Sequence, residues 1–175
     1  MAALRYPIGL LQIEDEISDA KRKQLIDQLA ETPARLREAV KNLSPAQIDT
    51  PYRPDGWTIR QVAHHLADSH VNAYVRFKLA LTEETPTIKP YDQDKWADLA
   101  DARTVPIEAS LAIVDGLHQR WVALLRSLNA GDFARTFNHP ELGIVNLDSY
   151  LARCAWHGRH HVAHITSLRE RMKWL

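Results

Sequence analysis

Four long segments with helical apolar spacing, proline- and glycine-marked loops between them, and no clear strand pattern predict an all-α chain folded as a four-helix bundle. Residues 1–16 read as an irregular N-terminal arm, because Pro7 and Gly9 break any regular pattern. The first helix is expected from Ser18, an acceptable N-cap, to Asn42, with a kink at Pro33, since proline cannot donate the helix hydrogen bond. Residues 44–57 hold Pro51, Pro54 and Gly56 and read as a loop with room for one short turn. Thr58-Ile59-Arg60-Gln61 is a capping box, so a second helix should run from Ile59 to Glu84. Residues 85–104 form a long connection between helices 2 and 3, with a short helix allowed at Trp96. Thr104-Val105-Pro106 starts the third helix, with proline near the first turn, and that helix should continue to Asn129. Residues 132–146 are expected to be irregular or extended, and Asn146 to cap the last helix, Leu147 to Lys173. Unequal connections suit a crossover topology. No internal repeat or linker divides the chain, so residues 1–175 are expected to form a single domain.

Composition narrows the function. With 45% hydrophobic and 25% charged residues, 175 residues can build one core. Lys plus Arg and Asp plus Glu both number 22, so the chain lacks the positive field that nucleic-acid binding draws on. A lone cysteine, Cys154, excludes an intramolecular disulfide and a Cys-x-x-Cys metal pair. No apolar run approaches the roughly 20 residues that span a bilayer, and the first residues lack the long apolar stretch of a secretion signal. The expectation is a cytoplasmic protein with no membrane or nucleic-acid partner.

The histidines carry the chemistry. Four of nine lie in Trp156-His157-Gly158-Arg159-His160-His161-Val162-Ala163-His164, inside the last helix. His157 and His161 are four apart, which places both imidazoles on one face, about 5–6 Å from each other. A third ligand would come from Val62-Ala63-His64-His65-Leu66-Ala67-Asp68-Ser69-His70. On the last helix Leu147, Leu151, Ala155, Val162, Ile165 and Leu168 form an apolar stripe. His161 lies at its edge, His157 and His164 a little further round, and His160 nearly opposite. On the second helix the stripe is Ile59, Val62, Leu66, Ala73, Phe77 and Leu81. His64 falls on the far side and should be solvated, His65 is a flank position, and His70 lies inside the stripe. Periodicity alone favours His70 over His65, and spacing does not decide between them. One histidine on an apolar face is commonly a hydrogen-bonded core residue, but a cluster of four needs partners for many ring nitrogens.

At these segments the chain resembles the DinB superfamily. Trp57-Thr58-Ile59-Arg60-Gln61-Val62-Ala63-His64-His65-Leu66-Ala67-Asp68-Ser69 is similar to the family's first metal-ligand helix, and Trp156 to Ile165 to its second. Tyr6-Pro7-Ile8-Gly9, Asp49-Thr50-Pro51-Tyr52-Arg53, Arg76-Phe77-Lys78-Leu79, Leu81 to Pro86 and Pro90-Tyr91-Asp92 resemble its YfiT-type branch of metal-dependent hydrolases. The resemblance implies a bundle that holds one divalent metal ion per chain, zinc or nickel, through three histidines. The ligand before the leucine of the His-Leu pair corresponds to His65, and the pair four apart to His157 and His161. It further implies a cytoplasmic homodimer, and it raises a second activity found among such proteins, thiol S-transfer with a low-molecular-weight thiol of the bacillithiol kind.

Three neutral imidazoles leave a coordination position open, as in catalytic rather than structural zinc sites. An open position can acidify a water to a pKa of about 7 or hold a thiol as thiolate. The expected function is therefore hydrolysis of a small molecule, with thiol transfer to an electrophile as the alternative and a non-catalytic metal-binding bundle behind both. Asp68, one turn after His65, could orient a ligand, or be an ordinary surface acid. Arg153, one turn before His157, could meet an anionic substrate, or a surface carboxylate. His164 could hydrogen-bond within the pocket, and Trp57 and Trp156 should pack near it.

Overall fold

A computed structural model describes residues 2–174. In chain order its elements are α1 (Ala2–Arg5), α2 (Asp19–Val40), α3 (Pro45–Ile48), α4 (Ile59–Thr82), α5 (Gln93–Ala97), α6 (Ala100–Thr104), α7 (Glu108–Ser127), α8 (Ala130–Phe133), β1 (Thr136–His139), β2 (Gly143–Asn146) and α9 (Leu147–Met172). The four long helices are α2, α4, α7 and α9, as the apolar spacing predicts.

Their starts are local events. Ser18 Oγ accepts the Lys21 N–H at 3.2 Å, and Asn146 Oδ1 accepts the Ser149 N–H at 2.8 Å. Thr58 and Gln61 complete the capping box in both directions. Each bond satisfies a backbone donor that the first helical turn leaves unpaired. The third long helix departs from expectation. Thr104 ends α6, with its hydroxyl donating to the Ala100 carbonyl at 2.7 Å, so it cannot cap, and α7 begins at Glu108 with no side-chain cap. The absence of strands is also corrected: β1 and β2 pair as an antiparallel hairpin, Phe137 opposite Val145. Its first strand is anchored from outside, where the Ile88 N–H donates to the Asn138 carbonyl and the Asn138 N–H to that of Pro86.

Cross-helix pairs give the topology. Arg22 meets Asp148 at the starts of α2 and α9, and Arg169 donates to the Ala39 carbonyl near their ends, so these two run parallel. His64 meets Ser110 and His70 meets His118, so α4 and α7 are also parallel. Arg126 with Asp27, and Arg76 with Tyr150, make the two pairs antiparallel to each other. The order is up-down-down-up. Two successive parallel helices need a connection that returns along the bundle, and residues 83–107 supply it, with α5 and α6 packed on α4.

The core comes in two apolar halves. One gathers Leu29, Phe77, Trp121, Phe133, Phe137 and Leu151. The other gathers Leu36, Ile59, Val62, Leu66, Leu111, Val114 and Ile165. Between them, at successive helix levels, lie the buried polar side chains Thr32, His70, His118 and His161. The histidines thus form a layer across the bundle, with apolar packing above and below.

Candidate metal centre

α4 and α9 lie side by side and antiparallel, so His65 on one faces His157 and His161 on the other. One ring nitrogen from each of these three residues lies within 4.8 Å of the other two. His65 Nε2 and His157 Nε2 are 3.2 Å apart. Two imidazoles about 2.0–2.1 Å from one tetrahedral ion would stand about 3.3 Å apart, so this spacing suits a shared metal. Among the described residues no fourth His, Cys, Asp or Glu joins the group.

Two hydrogen-bond relays fix which nitrogen each α9 histidine presents. His118 Nδ1–H donates to the Leu29 carbonyl at 2.9 Å. A carbonyl only accepts, so His118 Nε2 carries the lone pair, which takes the His70 Nδ1–H at 2.8 Å. His70 Nε2 in turn accepts the His157 Nδ1–H at 3.3 Å, leaving a lone pair on His157 Nε2. The second relay has the same logic. His164 Nε2–H donates to the Arg5 carbonyl at 3.0 Å, and His164 Nδ1 accepts the His161 Nδ1–H at 3.3 Å, which frees His161 Nε2. Histidines that ligate a metal commonly donate their other N–H to a fixed acceptor, and His157 and His161 each donate theirs to another histidine backed by a main-chain oxygen.

Pro33 belongs to the first relay. In a regular helix the Leu29 carbonyl would accept the N–H of residue 33, and proline has none. α2 continues through Pro33, and the spare carbonyl receives His118 instead.

Electrostatics keep these rings neutral. Burial lowers His65 to about 4, helped by the nearby His164. Burial, then the surrounding imidazoles, lowers His157, His161 and His70 well below the usual histidine range. Neutral imidazole is the form that binds metal. Trp57 packs its ring 4.6 Å from that of His65, Tyr52 stacks on His164 at 3.9 Å, and Trp156 stacks on His160 at 4.3 Å. The site opens into a cavity of about 530 Å³.

Other expectations fare differently. Arg153 and His164 line the cavity. Asp68 does not: it is half-buried near Asp101 of α6, and burial together with that like charge pushes its carboxyl up to about 6. His70 is buried, as periodicity argues, but its place is behind His157 rather than in the three-histidine group. His64 is buried rather than solvated, because α6 and α7 cover that side of α4. Its Nδ1 meets Ser110 Oγ at 2.7 Å and its Nε2 donates to the Val105 carbonyl at 3.0 Å. His160, expected opposite the stripe, is buried under Trp156 and Tyr6, where the N-terminal arm covers α9. Its Nδ1 has no partner among the described residues. His118 escapes the sequence reading although its position signals it, since Val114, His118, Trp121 and Leu125 share one face of α7. Arg76, half-buried on the cavity wall, carries no such signal.

Comparison with known proteins places this arrangement. A protein of Bacillus mycoides (strain KBAB4) named "Putative metal-dependent hydrolase" is 52% identical over 174 residues, covering 99% of this chain and 100% of its own. A relative of the same name in Bacillus cereus (strain B4264) is also 52% identical, with the same coverage. The solved structure of YfiT from Bacillus subtilis, described as "a probable metal-dependent hydrolase with an unusual four-helix bundle topology", superposes with a TM-score of 0.96 at 49% identity over 99% of each chain. TT2238, a four-helix bundle protein, shares the fold at 21% identity and a TM-score of 0.58, over 81% of this chain and 94% of its own. The DinB superfamily model matches residues 28–165. With its fold, its histidine-bearing helices and its relatives in agreement, the chain belongs to the DinB superfamily.

Proposed function

We propose that this protein is a metal-dependent hydrolase of small molecules, with one zinc or nickel ion per chain held by Nε2 of His65, His157 and His161. The observation that carries the reading is the convergence of three neutral, buried imidazoles within 4.8 Å, beside a cavity and without a fourth protein ligand among the described residues. When bound, a divalent ion with three neutral ligands and an open position supplies an acidified water near neutral pH. The chain's own residues prepare for that. His70 and His164 keep the α9 lone pairs directed at one point, and the absence of a carboxylate from the histidine group leaves an ion's charge undiminished. Trp57 packs on His65 and Tyr52 on His164, and both, with His160, line the cavity. The reading extends to a cytoplasmic homodimer with no nucleic-acid partner, and sedimentation at micromolar concentration tests the dimer.

The test joins metal content to turnover. Mass spectrometry on untagged protein should find about one zinc or nickel per chain, lost in His65→Ala, His157→Ala and His161→Ala. A panel of esters, amides and other electrophiles should then show turnover only with the metal-loaded wild type and without added thiol. Turnover that requires a low-molecular-weight thiol would move the protein to thiol transfer. Full metal loading in all three variants would overturn the ligand assignment.

A further inference from the structure

We infer that the metal cavity is built for an anion: a small molecule whose carboxylate or phosphate group sits between Arg76 and Arg153 while its reacting end reaches the three histidines. The inference rests on the hydrolase reading for the reacting end, but not for the anion seat. Arg5, Arg53, Arg76 and Arg153 line the cavity. Elsewhere Arg22, Arg35, Arg37, Arg60, Arg103 and Arg126 each pair with a carboxylate, while Arg120, Arg135, Arg159, Arg169 and Arg171, outside the cavity lining, do not among the described residues. Among the described residues none of the four cavity arginines does. The two acids of the lining, Asp94 and Glu141, are exposed, and neither comes within ion-pair distance of an arginine.

Arg76 and Arg153 are the pair best placed to act together. Arg76 reaches across from α4, donating to Tyr150 Oη at 2.9 Å and to the Lys89 carbonyl at 3.3 Å. Both partners are neutral, so they aim the guanidinium without cancelling its charge. Arg153, on the same stretch of α9 as Tyr150, makes no hydrogen bond among the described residues. Both arginines line the one cavity, together with His139, Tyr150 and Cys154. Both side chains are half-buried. Two partly desolvated cations without a counter-ion cost free energy that an arriving anion returns, and the fork of a guanidinium fits both carboxylate and phosphate.

Geometry sets the size of the molecule. Arg153 precedes His157 by four residues and Tyr150 precedes it by seven, so the anion seat lies roughly 6–10 Å from the histidine cluster along α9. A substrate with three to six bonds between its anionic group and its reacting atom would span that distance. The cavity of about 530 Å³ is within the range that small-molecule sites occupy.

NMR titration of the metal-loaded full-length protein with inorganic phosphate, butyrate and the neutral isostere butyramide tests this. At least one anion should bind, with butyramide at least tenfold weaker, and the tighter anion identifies the headgroup. Arg153→Gln and Arg76→Gln should each weaken that anion tenfold or more, while metal content stays at the wild-type level. Arg126→Gln, a surface control paired with Asp27, should change nothing. Arg153→Gln removes no protein hydrogen bond, so it keeps the test meaningful if Arg76→Gln misfolds. Equal binding of butyramide, or anion affinities within twofold of wild type in Arg153→Gln, would overturn the inference. The same titration on His65→Ala separates the two readings. Arginine-dependent anion binding there, without metal, would uphold the seat while the hydrolase reading fails, whereas metal-dependent turnover without anion preference would do the reverse.

Discussion

In His118→Leu the Leu29 carbonyl loses its donor and the His70 Nδ1–H loses its acceptor, both in a buried layer. His70 is then free to take the other tautomer, and with it His157 can turn its lone pair away from His65. Metal affinity should fall about 10–100-fold, the usual cost of losing a partner behind a ligand. Chelator competition reads that loss, with circular dichroism to check that the helices persist. Unchanged affinity would mean that the relay does not hold His157. Only part of this was readable beforehand. The spacing of His157 and His161 is a property of one helix, so it is visible in sequence. The roles of His64 and His160 are not, because a helical wheel shows a single apolar stripe, while α6, α7 and the N-terminal arm cover the remaining sides. The choice between His65 and His70 was likewise beyond periodicity. Both are buried, and only the packing of α4 against α9 puts one in the cluster and the other behind it.

Among the helices, α9 packs tightly on α2 at Gly158. A Cβ there would lie 2.8 Å from Thr32 Oγ1 and 3.0 Å from Thr32 Cγ2. Thr32 is a short, buried side chain held to the Gln28 carbonyl, so it has little room to yield. Gly158→Ala should therefore destabilise by about 1–3 kcal/mol, as overpacking does, even though alanine favours a helix. Thermal melting decides it, and a higher melting temperature would show that α2 and α9 can separate at no cost. Helix starts were legible because a cap involves residues three apart, as at Ser18, Thr58 and Asn146. The hairpin was not, because β1 is four residues long and its pairing leans on Pro86 and Ile88, some fifty positions earlier. Pro33 announces an interruption in sequence, but which side chain uses the vacated carbonyl depends on α7.

Across the whole molecule, burial lowers all nine histidines below their ordinary range. Between a folded pKa of about 4, as for His65, His118 and His160, and an unfolded one of about 6.5, the unfolded chain binds more protons. Stability is therefore fully present above pH 6.5 and falls as pH drops toward 4. The metal-free protein should lose about 10 °C or more of melting temperature between pH 7.5 and pH 5, a few kcal/mol for a chain of this size. A flat profile over that window would show that the histidine layer takes up protons without opening. The effect is large because the charge would appear between the two apolar halves rather than at the surface.

The contact between His164 and the Arg5 carbonyl joins positions 159 residues apart. Arg5 precedes the first long helix and His164 lies in the last, so the second relay closes only when the N-terminal arm has packed against α9. Displacing the arm would release His164 and, with it, the tautomer that directs the His161 lone pair. The same contact makes the amino-terminal side a poor place for a fusion partner, which could pull the arm away and leave His161 unsupported.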